Sequence, residues 1–250
     1  MQVDNYSPVM NQQHEHCSIR HFTDESIPAD LLDSIFQSGQ CAASSSFIQA
    51  YSIVRVTRNS VRNEIADAAG GQIWVEKAPE FMIFCADLYR VNEACKGAGI
   101  GEMEGYAEHF LAAVVDVALV AQNVVLAAES VGLGGVFIGG IRNDPQRVSD
   151  LLELPDHVFP VFGLCLGWPE KSCQKKPRLP LSTIVHTDVY HTASVRQDLD
   201  DYDALMAEYY KTRESNQKHS NWSEETARAV QGKKREHMLA FLQQRGFLKR

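Results

Sequence analysis

The chain has 250 residues, of which 44% are hydrophobic, and a formal net charge of -8 at pH 7. A chain of this length buries a substantial core in one larger domain or two small ones. With 32 acidic residues against 24 basic ones, the composition argues against a broad electropositive face for nucleic acid, which needs many Lys and Arg on one surface. The cysteines form no CxxC pair, which argues against a zinc ribbon. The composition therefore indicates a globular protein whose basic residues act locally.

The N-terminal segment is polar and lacks the basic and then apolar pattern of a signal peptide. Residues 1–15 are therefore expected to form a flexible arm. His14, His16 and Cys17 lie close together in the sequence, but their spacing fits no common zinc pattern. We expect no metal site here.

Helices alternate with short apolar strands in the following part of the chain. Thr23 or Asp24 is a candidate N-cap for a helix whose apolar positions recur at helical spacing, namely Leu31, Leu32, Ile35 and Phe36. Residues 52–56, 81–87 and 158–168 are rich in β-branched and aromatic residues, which predicts strands. Pro160 has no amide proton, so the last of these strands is expected to begin late or to lie at a sheet edge.

The apolar segment from Phe110 to Gly132 has about the length of a membrane span. Asp116, Gln122 and Asn123 argue against that interpretation, because a carboxylate is costly inside a bilayer. We interpret the segment as a core helix that is apolar on nearly every side. Such a helix needs protein all round it, which favours a homodimer and no membrane.

The sequence becomes polar from His186 onward, and it then predicts a C-terminal helical arm over residues 186–250. One helix is expected in residues 198–213. A second is expected to open at Ser223, followed by two glutamates that suit a helix N-terminus, and to end at Gly246.

Two basic clusters stand far apart in the chain. Arg20 belongs to the stretch HCSIRHF, and Lys176 and Arg178 flank Pro177, which stiffens the backbone between them. Three cations held together repel each other unless an anion lies between them, and a phosphate monoester suits that place. The alternative is that each forms an ordinary surface ion pair.

Other stretches provide polar and glycine-rich backbone. SSSFIQ, residues 44–49, gathers hydroxyl groups, and the glycines of AGGQ and of residues 132–143 permit close approach to a flat ligand. The second glycine-rich stretch does not fit the dinucleotide fingerprint, because Phe137 occupies the third glycine position. It also follows a long helix rather than a strand, so we do not expect a Rossmann site.

Taken in order and spacing, the stretches HCSIRHF, SSSFIQ, GGQ, AAESVGLGGVFIGGIRN, VFGLCLGWP and KPRLP resemble the nitroreductase family from His16 to the C-terminus. The similarity is to the NADPH-dependent, oxygen-insensitive nitroreductase and flavin reductase branch. It implies an α+β fold with a mixed sheet flanked by helices, formed by a single FMN-binding domain over residues 16–250. It also implies an intertwined homodimer with one FMN at each subunit boundary. The cytoplasmic location is expected from the cysteines, which form no disulfide framework and are read as reduced thiols.

The resemblance implies a set of site residues. The expected FMN-binding positions are His16, Ser18, Arg20, Ser44, Ser45, Ser46, Gln72, Ile138, Gly139, Gly140, Lys176 and Arg178. The positions expected to meet NADPH or substrate are Glu108, Arg142, Arg213 and Lys218. No catalytic side chain and no metal are expected, because the flavin N5 atom carries the hydride chemistry.

The implied activity is reduction of nitroaromatics, quinones or free flavins by two-electron, ping-pong hydride transfer from NADPH. Arg213 and Lys218 match positions that would meet the 2′-phosphate of NADPH. The alternative is a flavin-binding sensor or carrier of the same fold without significant NADPH turnover. A carrier has no need of a basic C-terminal arm, so this feature favours the enzyme.

Overall fold

A computed structural model describes residues 7–232 and 235–250. They divide into two compact units. The first unit comprises residues 7–172 and 235–250, and the second comprises residues 173–232. The first unit contains a β-sheet and most of the helices, whereas the described part of the second is helical.

The strands all lie in the first unit: β1 (Tyr51–Arg55), β2 (Glu80–Asp87), β3 (Gly134–Ile138) and β4 (Val158–Gly167). The helices are α1 (Pro8–Glu15), α2 (Ala29–Gln40), α3 (Asn59–Ala68), α4 (Ile73–Lys77), α5 (Tyr89–Gly97), α6 (Ala107–Ser130), α7 (Pro145–Leu151), α8 (Leu181–Ile184), α9 (Val195–Thr212), α10 (Trp222–Gly232) and α11 (Met238–Gln244). Short 3₁₀ turns occur at Ser45–Phe47 and Gly139–Asn143. Helices α8, α9 and α10 belong to the second unit.

The sheet has the strand order β1-β2-β4-β3, with helices beside it, and the expected α+β class is confirmed. The pairing differs from the expected mixed sheet, because these four strands pair antiparallel throughout. The connection from β1 to β2 illustrates how one of these antiparallel pairs forms. It runs through two helices, α3 and α4, and so returns the chain to the end of the sheet that it left.

Pro160 lies in β4, which is a central strand between β2 and β3. The expectation of an edge strand is therefore wrong. The pairing register shifts between Phe84, opposite Phe162, and Cys85, opposite Pro160. A bulge at this point accommodates the missing amide proton without a break in the strand.

Strand β2 forms the centre of the core, and all eight of its residues are buried. Successive side chains point to opposite faces of a strand, so β2 contributes to two apolar clusters. Met82, Phe84 and Ala86 pack with residues of α6 on one face, and Phe81, Ile83 and Cys85 pack with residues of α3 on the other. Burial on both faces explains why this strand is apolar without alternation.

Helix α6 covers one face of the sheet, and it is apolar and long enough to pass as a membrane span by length and composition. Its inner face is fully buried, as expected for a core helix, at Ala113, Val117, Val120, Ala121 and Val124. Its outer face is not covered by this chain's described residues. Leu111, Val115 and Leu119 are 59%, 54% and 42% exposed.

Helix α2 begins later than the capping pattern predicts. Its first residue is Ala29, directly after Pro28, and no side chain caps its N-terminus. The Thr23 hydroxyl instead accepts a hydrogen bond of 3.4 Å from the amide of Glu25. The predicted cap is wrong because Pro28, with its fixed φ, marks the start of the helix.

The ends of the chain also form helices. Residues 8–15 of the predicted N-terminal arm form α1, and residues 1–6 lie outside the described residues. The predicted last helix, from Ser223 to Gly246, is two helices, α10 and α11. Helix α11 returns to the first unit, where Phe241 and Leu242 are buried in the same cluster as α6.

Candidate functional site

The segment that follows α1 runs beside the sheet. The amide of Ile19 donates to the carbonyl of Gly135 at 2.9 Å, and Phe22 forms a bridge with Pro169. Ile19 is buried, whereas its neighbours Ser18 and Arg20 are exposed. The predicted residues Ser18 and Arg20 therefore project away from the sheet contact and are accessible.

His16 begins this segment and forms a close contact with an acidic residue of α6. Its Nδ1 atom lies 2.6 Å from Oε1 of Glu129, whose side chain is nearly buried. The contact fixes the orientation of the imidazole beside Ser18. Glu129 was not singled out from the sequence, although it belongs to the stretch AAESVGLGGVFIGGIRN that carries the resemblance.

Arg20 and Gln72 meet through Trp74. The Arg20 guanidinium carbon lies 6.0 Å from the centre of the Trp74 ring, and the Trp74 indole N–H donates to Oε1 of Gln72 at 2.7 Å. The Gln72 amide nitrogen makes a longer bond of 3.4 Å to the carbonyl of Ala69. Trp74 thus orders two of the predicted flavin residues, a role that sequence reasoning missed.

Gly140 lies against this group. A Cβ atom built on Gly140 would be 2.4 Å from the Ala69 carbonyl oxygen and 2.9 Å from Nε2 of Gln72. No side chain fits at such a separation, so glycine is required by the close approach of two backbone segments. The structure thereby brings Gln72 and Gly140 together. The side chain of Ile138 is buried in the core, so only its backbone can face a ligand.

Two arginines lie beside Gly139. Arg142 is partly buried and donates to the carbonyl of Val161, and burial together with the nearby Arg235 holds the pKa of Arg142 below its usual value. Arg235 donates from Nη2 to the Gly139 carbonyl at 3.1 Å and to Oδ1 of Asn143 at 3.0 Å. Arg235 was missed, because the basic stretch KKR that it ends lies far along the chain and matches no ligand-binding motif.

The predicted serines lie on a loop of unusual backbone conformation. Ser46, Phe47 and Gln49 have φ values of 49°, 57° and 54°, in the left-handed region. Residues other than glycine rarely adopt this conformation, and such strain is concentrated at functional sites. Ser45 and Ser46 are exposed on this loop.

Asp116 of α6 holds the loop in place. One of its carboxylate oxygens accepts the amide of Ser45 at 2.9 Å, and the other accepts the amide of Ala50 at 3.1 Å. Asp116 is 1% exposed, and its bond to Ala50 is buried, whereas its bond to the exposed Ser45 is partly buried. The sequence carried a signal for this role, a carboxylate in the apolar middle part of the helix. Glu108 lies on the same helix, exposed in its first turn.

The second unit gathers three of the predicted cations around one aromatic ring. Lys218 Nζ, Arg213 Cζ and Lys176 Nζ lie 4.4, 5.1 and 5.5 Å from the centre of the Tyr210 ring. Lys218 also pairs with Glu225, and this contact lowers the pKa of Glu225 to about 2.

Each unit therefore brings together part of the predicted site. In the first unit, the described contacts link Arg20 with Gln72 and Gly140, and Gly139 with Arg142. In the second, they link the basic cluster at Lys176 with the predicted nucleotide residues. That Lys176 and Arg178 meet the same phosphate as Arg20 stays a prediction. Within residues 7–232 and 235–250, no group of three or more His, Cys, Asp or Glu side chains could hold a metal ion.

The Nitroreductase family profile matches residues 15–168, and the profile of the Nitroreductase family, C-terminal domain, matches residues 176–250. The chain belongs to the nitroreductase family. Among its nitroreductase relatives, an oxygen-insensitive NADPH nitroreductase of Salmonella typhimurium is 43% identical over 244 residues, 98% of this chain and 100% of the relative. An FMN reductase (NADPH) of Bacillus subtilis is 40% identical over 94% of this chain and 96% of its own length.

Solved structures of nitroreductases are similar over the same range. Nitroreductase A of Vibrio parahaemolyticus superposes with a TM-score of 0.90 at 38% identity, covering 98% of this chain and 100% of that chain. The NADPH:FMN oxidoreductase of Vibrio harveyi, solved in complex with NAD⁺, has a TM-score of 0.87 at 39% identity. The match covers 97% of this chain and 99% of that chain. The nitroreductase fold of this chain is thus shown over nearly its whole length.

Proposed function

We propose that the protein is an FMN-dependent NADPH oxidoreductase that reduces nitroaromatics, quinones or free flavins by two electrons at a time. Its relatives include an oxygen-insensitive NADPH nitroreductase, an FMN reductase and an NADPH-flavin oxidoreductase. The observation that carries the proposal is the close grouping of Gln72, Gly140 and the Arg20–Trp74 pair, which suits a flat, polar and anionic ligand. Because NADPH is an intracellular reductant, we place the enzyme in the cytoplasm.

The described residues fit FMN. Gly140 places backbone without a side chain tightly against Ala69 and Gln72, and such bare backbone suits the close approach of a planar ring system. Since Trp74 already donates to Oε1 of Gln72, the amide nitrogen, with its longer bond to Ala69, is the group that remains to donate to a polar ring edge. The arrangement offers hydrogen-bond donors rather than acids, which agrees with an electron-rich ligand.

The phosphate of FMN is the partner that we propose for the basic clusters. Arg20 is partly ordered by its position over Trp74, so it loses less side-chain freedom on binding. Ser18 provides a hydroxyl beside it, and His16 is oriented by Glu129. We propose that Lys176 and Arg178 also bind the FMN phosphate, as the resemblance implies, because a doubly charged phosphate needs several cations.

When bound, FMN supplies the two-electron hydride chemistry, so that neither a protein nucleophile nor a metal is needed. The protein contributes positive charge. Arg142 and Arg235 lie beside Gly139, and the burial of Arg142 strengthens its electrostatic effect on charge that develops nearby. Their fixed hydrogen bonds to backbone carbonyls keep both guanidinium groups in position.

Nucleotide choice is assigned to the second unit. NADPH differs from NADH by one ribose phosphate, and we propose that Arg213 is its main partner. Lys218 is less available, because it already pairs with Glu225. Arg213 also offers a planar guanidinium that matches phosphate geometry better than an ammonium does.

A homodimer follows from the uncovered face of α6. Leu111, Val115 and Leu119 recur every four residues, which places them on one side of the helix. Phe47 is 81% exposed and lies on the loop of residues 44–49, called the serine loop below, which Asp116 of this helix holds through hydrogen bonds. We propose that a second copy covers both surfaces, so that Ser44–Ser46 line the flavin of the partner.

The test of the function is spectroscopic. The purified protein should be yellow with about one FMN per chain, and NADPH added without oxygen should bleach the flavin faster than NADH does. Arg20→Ala should weaken FMN binding, whereas Arg58→Ala, an exposed arginine at the start of α3, should not. If FMN binds but neither nucleotide bleaches it, the protein is a flavin sensor or carrier instead.

The dimer is tested separately by sedimentation. Val115→Glu should convert the protein to a monomer, because it places a charge in the proposed apolar interface. Val230→Glu, at an exposed position of α10, is the matched control and should leave the dimer intact. A monomeric wild-type protein would contradict this part of the proposal.

A further inference from the structure

One face of α9 carries the aromatic cluster of the second unit. Tyr202, Met206 and Tyr210 recur every four residues and are buried, and Trp222 of α10 packs against them. The Tyr202 ring meets the Trp222 ring edge-on at 5.9 Å. This face is therefore a rigid support for the chain segments that cross it.

The first of these segments is the basic stretch around Pro177. The Tyr202 hydroxyl donates to the Pro177 carbonyl at 2.8 Å. Pro177 stands between Lys176 and Arg178, so this bond fixes the backbone from which both cations extend. The aromatic face thus positions the cations proposed for the FMN phosphate.

The second feature is the crowding of cations on Tyr210. Its ring is 3% exposed, and Lys176, Arg213 and Lys218 all lie within about 6 Å of its centre, the range of a cation–π interaction. Three cations this close repel each other. The electron-rich ring offsets that repulsion, and Glu225 offsets it further through its pair with Lys218.

The backbone reinforces the arrangement. The amide of Lys218 donates to the Tyr210 carbonyl at 3.0 Å, and the amide of Arg213 donates to the Tyr209 carbonyl at 2.9 Å. Arg213 ends α9, and its guanidinium donates to the carbonyl of Asn216. The turn after α9 therefore folds back so that its cations face the Tyr210 ring.

We propose that Tyr210 is a positioning residue that sets the preference for NADPH by holding Arg213 and Lys218 in place, and that it links this preference to FMN retention through Lys176. The proposal rests on the proposed function. Long basic side chains lose much conformational freedom when they bind a phosphate, and a ring that orders them beforehand reduces that loss. NADH has no such phosphate, so its binding should not depend on the ring.

The experiment compares Tyr210→Leu with Tyr210→Phe and with Tyr209→Leu. Tyr209 precedes Tyr210 and packs against its ring at 5.7 Å, and within the second unit no cation lies over the Tyr209 ring. We expect Tyr210→Leu to raise KM for NADPH about three- to tenfold, with kcat and the KM for NADH nearly unchanged. FMN should also dissociate more readily. Tyr210→Phe should restore both properties, and Tyr209→Leu should resemble the wild type.

Tyr210→Leu could fail to fold, so a second pair of variants tests the electrostatic effect of the ring while keeping its shape. Phenylalanine at position 210 is compared with 3,4,5-trifluorophenylalanine, which keeps the shape of the ring but removes most of its attraction for cations. The ratio of KM for NADH to KM for NADPH should fall on fluorination, while the unfolding temperature stays the same.

Distinct results separate the two proposals. A wild-type protein that neither binds FMN nor oxidises NADPH would overturn the proposed function and this inference with it. If the wild type is active, an unchanged nucleotide ratio in the fluorinated variant would overturn the inference alone. So would an equal loss for both nucleotides in Tyr210→Leu that phenylalanine does not restore, since that pattern indicates a role in folding only.

Discussion

Asp116 gives the sharpest test of how α6 supports the serine loop. Asp116→Asn keeps the size of the side chain but replaces one carboxylate oxygen by an NH₂ group. One of the two amides, at Ser45 or Ala50, then faces a donor instead of an acceptor. The Asp116 side chain and its bond to Ala50 are buried, so water does not readily replace a bond lost there.

The expected change in the free energy of unfolding is the difference between stabilising interactions that are lost and costs that are removed. A hydrogen bond to a charged group contributes about 1.5 to 3 kcal/mol, and an unsatisfied buried donor costs about 1 to 3 kcal/mol. Two effects oppose this loss. Removal of the buried charge lowers its desolvation cost, and release of the loop relieves the left-handed backbone of Ser46, Phe47 and Gln49, at about 1 to 3 kcal/mol each. The relief of strain is available only if the loop leaves its place, so while the loop stays folded the lost hydrogen bond is offset only by the lower desolvation cost, and we expect a net destabilisation of about 2 to 3 kcal/mol.

The assay has two readings. For a chain of this size, that loss corresponds to a fall of about 4 to 12 °C in the unfolding temperature, followed by circular dichroism. FMN affinity, measured by fluorescence well below that temperature, should fall too, because the serine loop loses its fixed position. Asp67→Asn is the control, since Asp67 is exposed and pairs with Arg147 at the surface.

Two results would refute the reasoning. If Asp116→Asn unfolds within about 2 °C of the wild type, the two hydrogen bonds contribute less than the desolvation cost of the charge. If it is destabilised but binds FMN as tightly as the wild type, the serine loop does not belong to the flavin site. The second result would leave the role of Asp116 in stability intact.

Three further predictions concern other parts of the first unit. Gly140→Ala should destabilise the protein by about 1 to 3 kcal/mol and weaken FMN binding, because its Cβ would meet the Ala69 carbonyl, whereas Gly97→Ala has open space and should do neither, as urea unfolding would show. Burial raises the pKa of Cys165 to about 12, so iodoacetamide should label the exposed Cys41 first and leave Cys165 unlabelled in the native protein, as peptide mass spectrometry would reveal. Burial lowers the pKa of His157, so the folded state binds that proton less readily than the unfolded chain. Stability should therefore fall as pH drops below about 6.5, and a flat urea midpoint between about pH 7.5 and 5.5 would contradict this.

The strands show how far local pattern carries. β1, β2 and β4 were predicted from their β-branched and aromatic residues, and the structure confirms all three. β3 was not predicted, because Gly134 and Gly135 weaken its strand signal and the stretch looked like a ligand loop. The place of β4 in the sheet was also wrong. A bulge at Val161 of β4 itself, which the apolar pattern of the strand does not reveal, makes Pro160 acceptable in a central strand.

The residues of the candidate site also divide into those that a local sequence pattern predicts and those that it does not. Residues close together in the sequence, such as Ser44–Ser46 or Lys176 and Arg178, were found because their spacing is a pattern. Residues that act on them from elsewhere carry no such pattern. Asp116 supports a loop about seventy residues earlier, and Arg235 reaches Gly139 from a segment beyond the second unit. Asp116 stood out in the sequence as a carboxylate in an apolar segment, but only the folded chain shows which backbone groups Asp116 and Arg235 contact.

Residues 235–250 contact two distant parts of the first unit, and so support the proposed site from the end of the chain. Arg235 binds the turn at Gly139–Asn143, and the C-terminal residues then reach the start of α6, where the amide of Lys249 donates to the Gly105 carbonyl at 3.0 Å. Phe241 and Phe247 are buried between these two ends. Residues 235–250 therefore connect the turn at Gly139–Asn143, which lies beside Gln72, with helix α6, which carries Asp116 and Glu108. A loosening of either end would shift charge and backbone at the other, so the geometry of the proposed flavin site depends on packing that its own motifs do not contain.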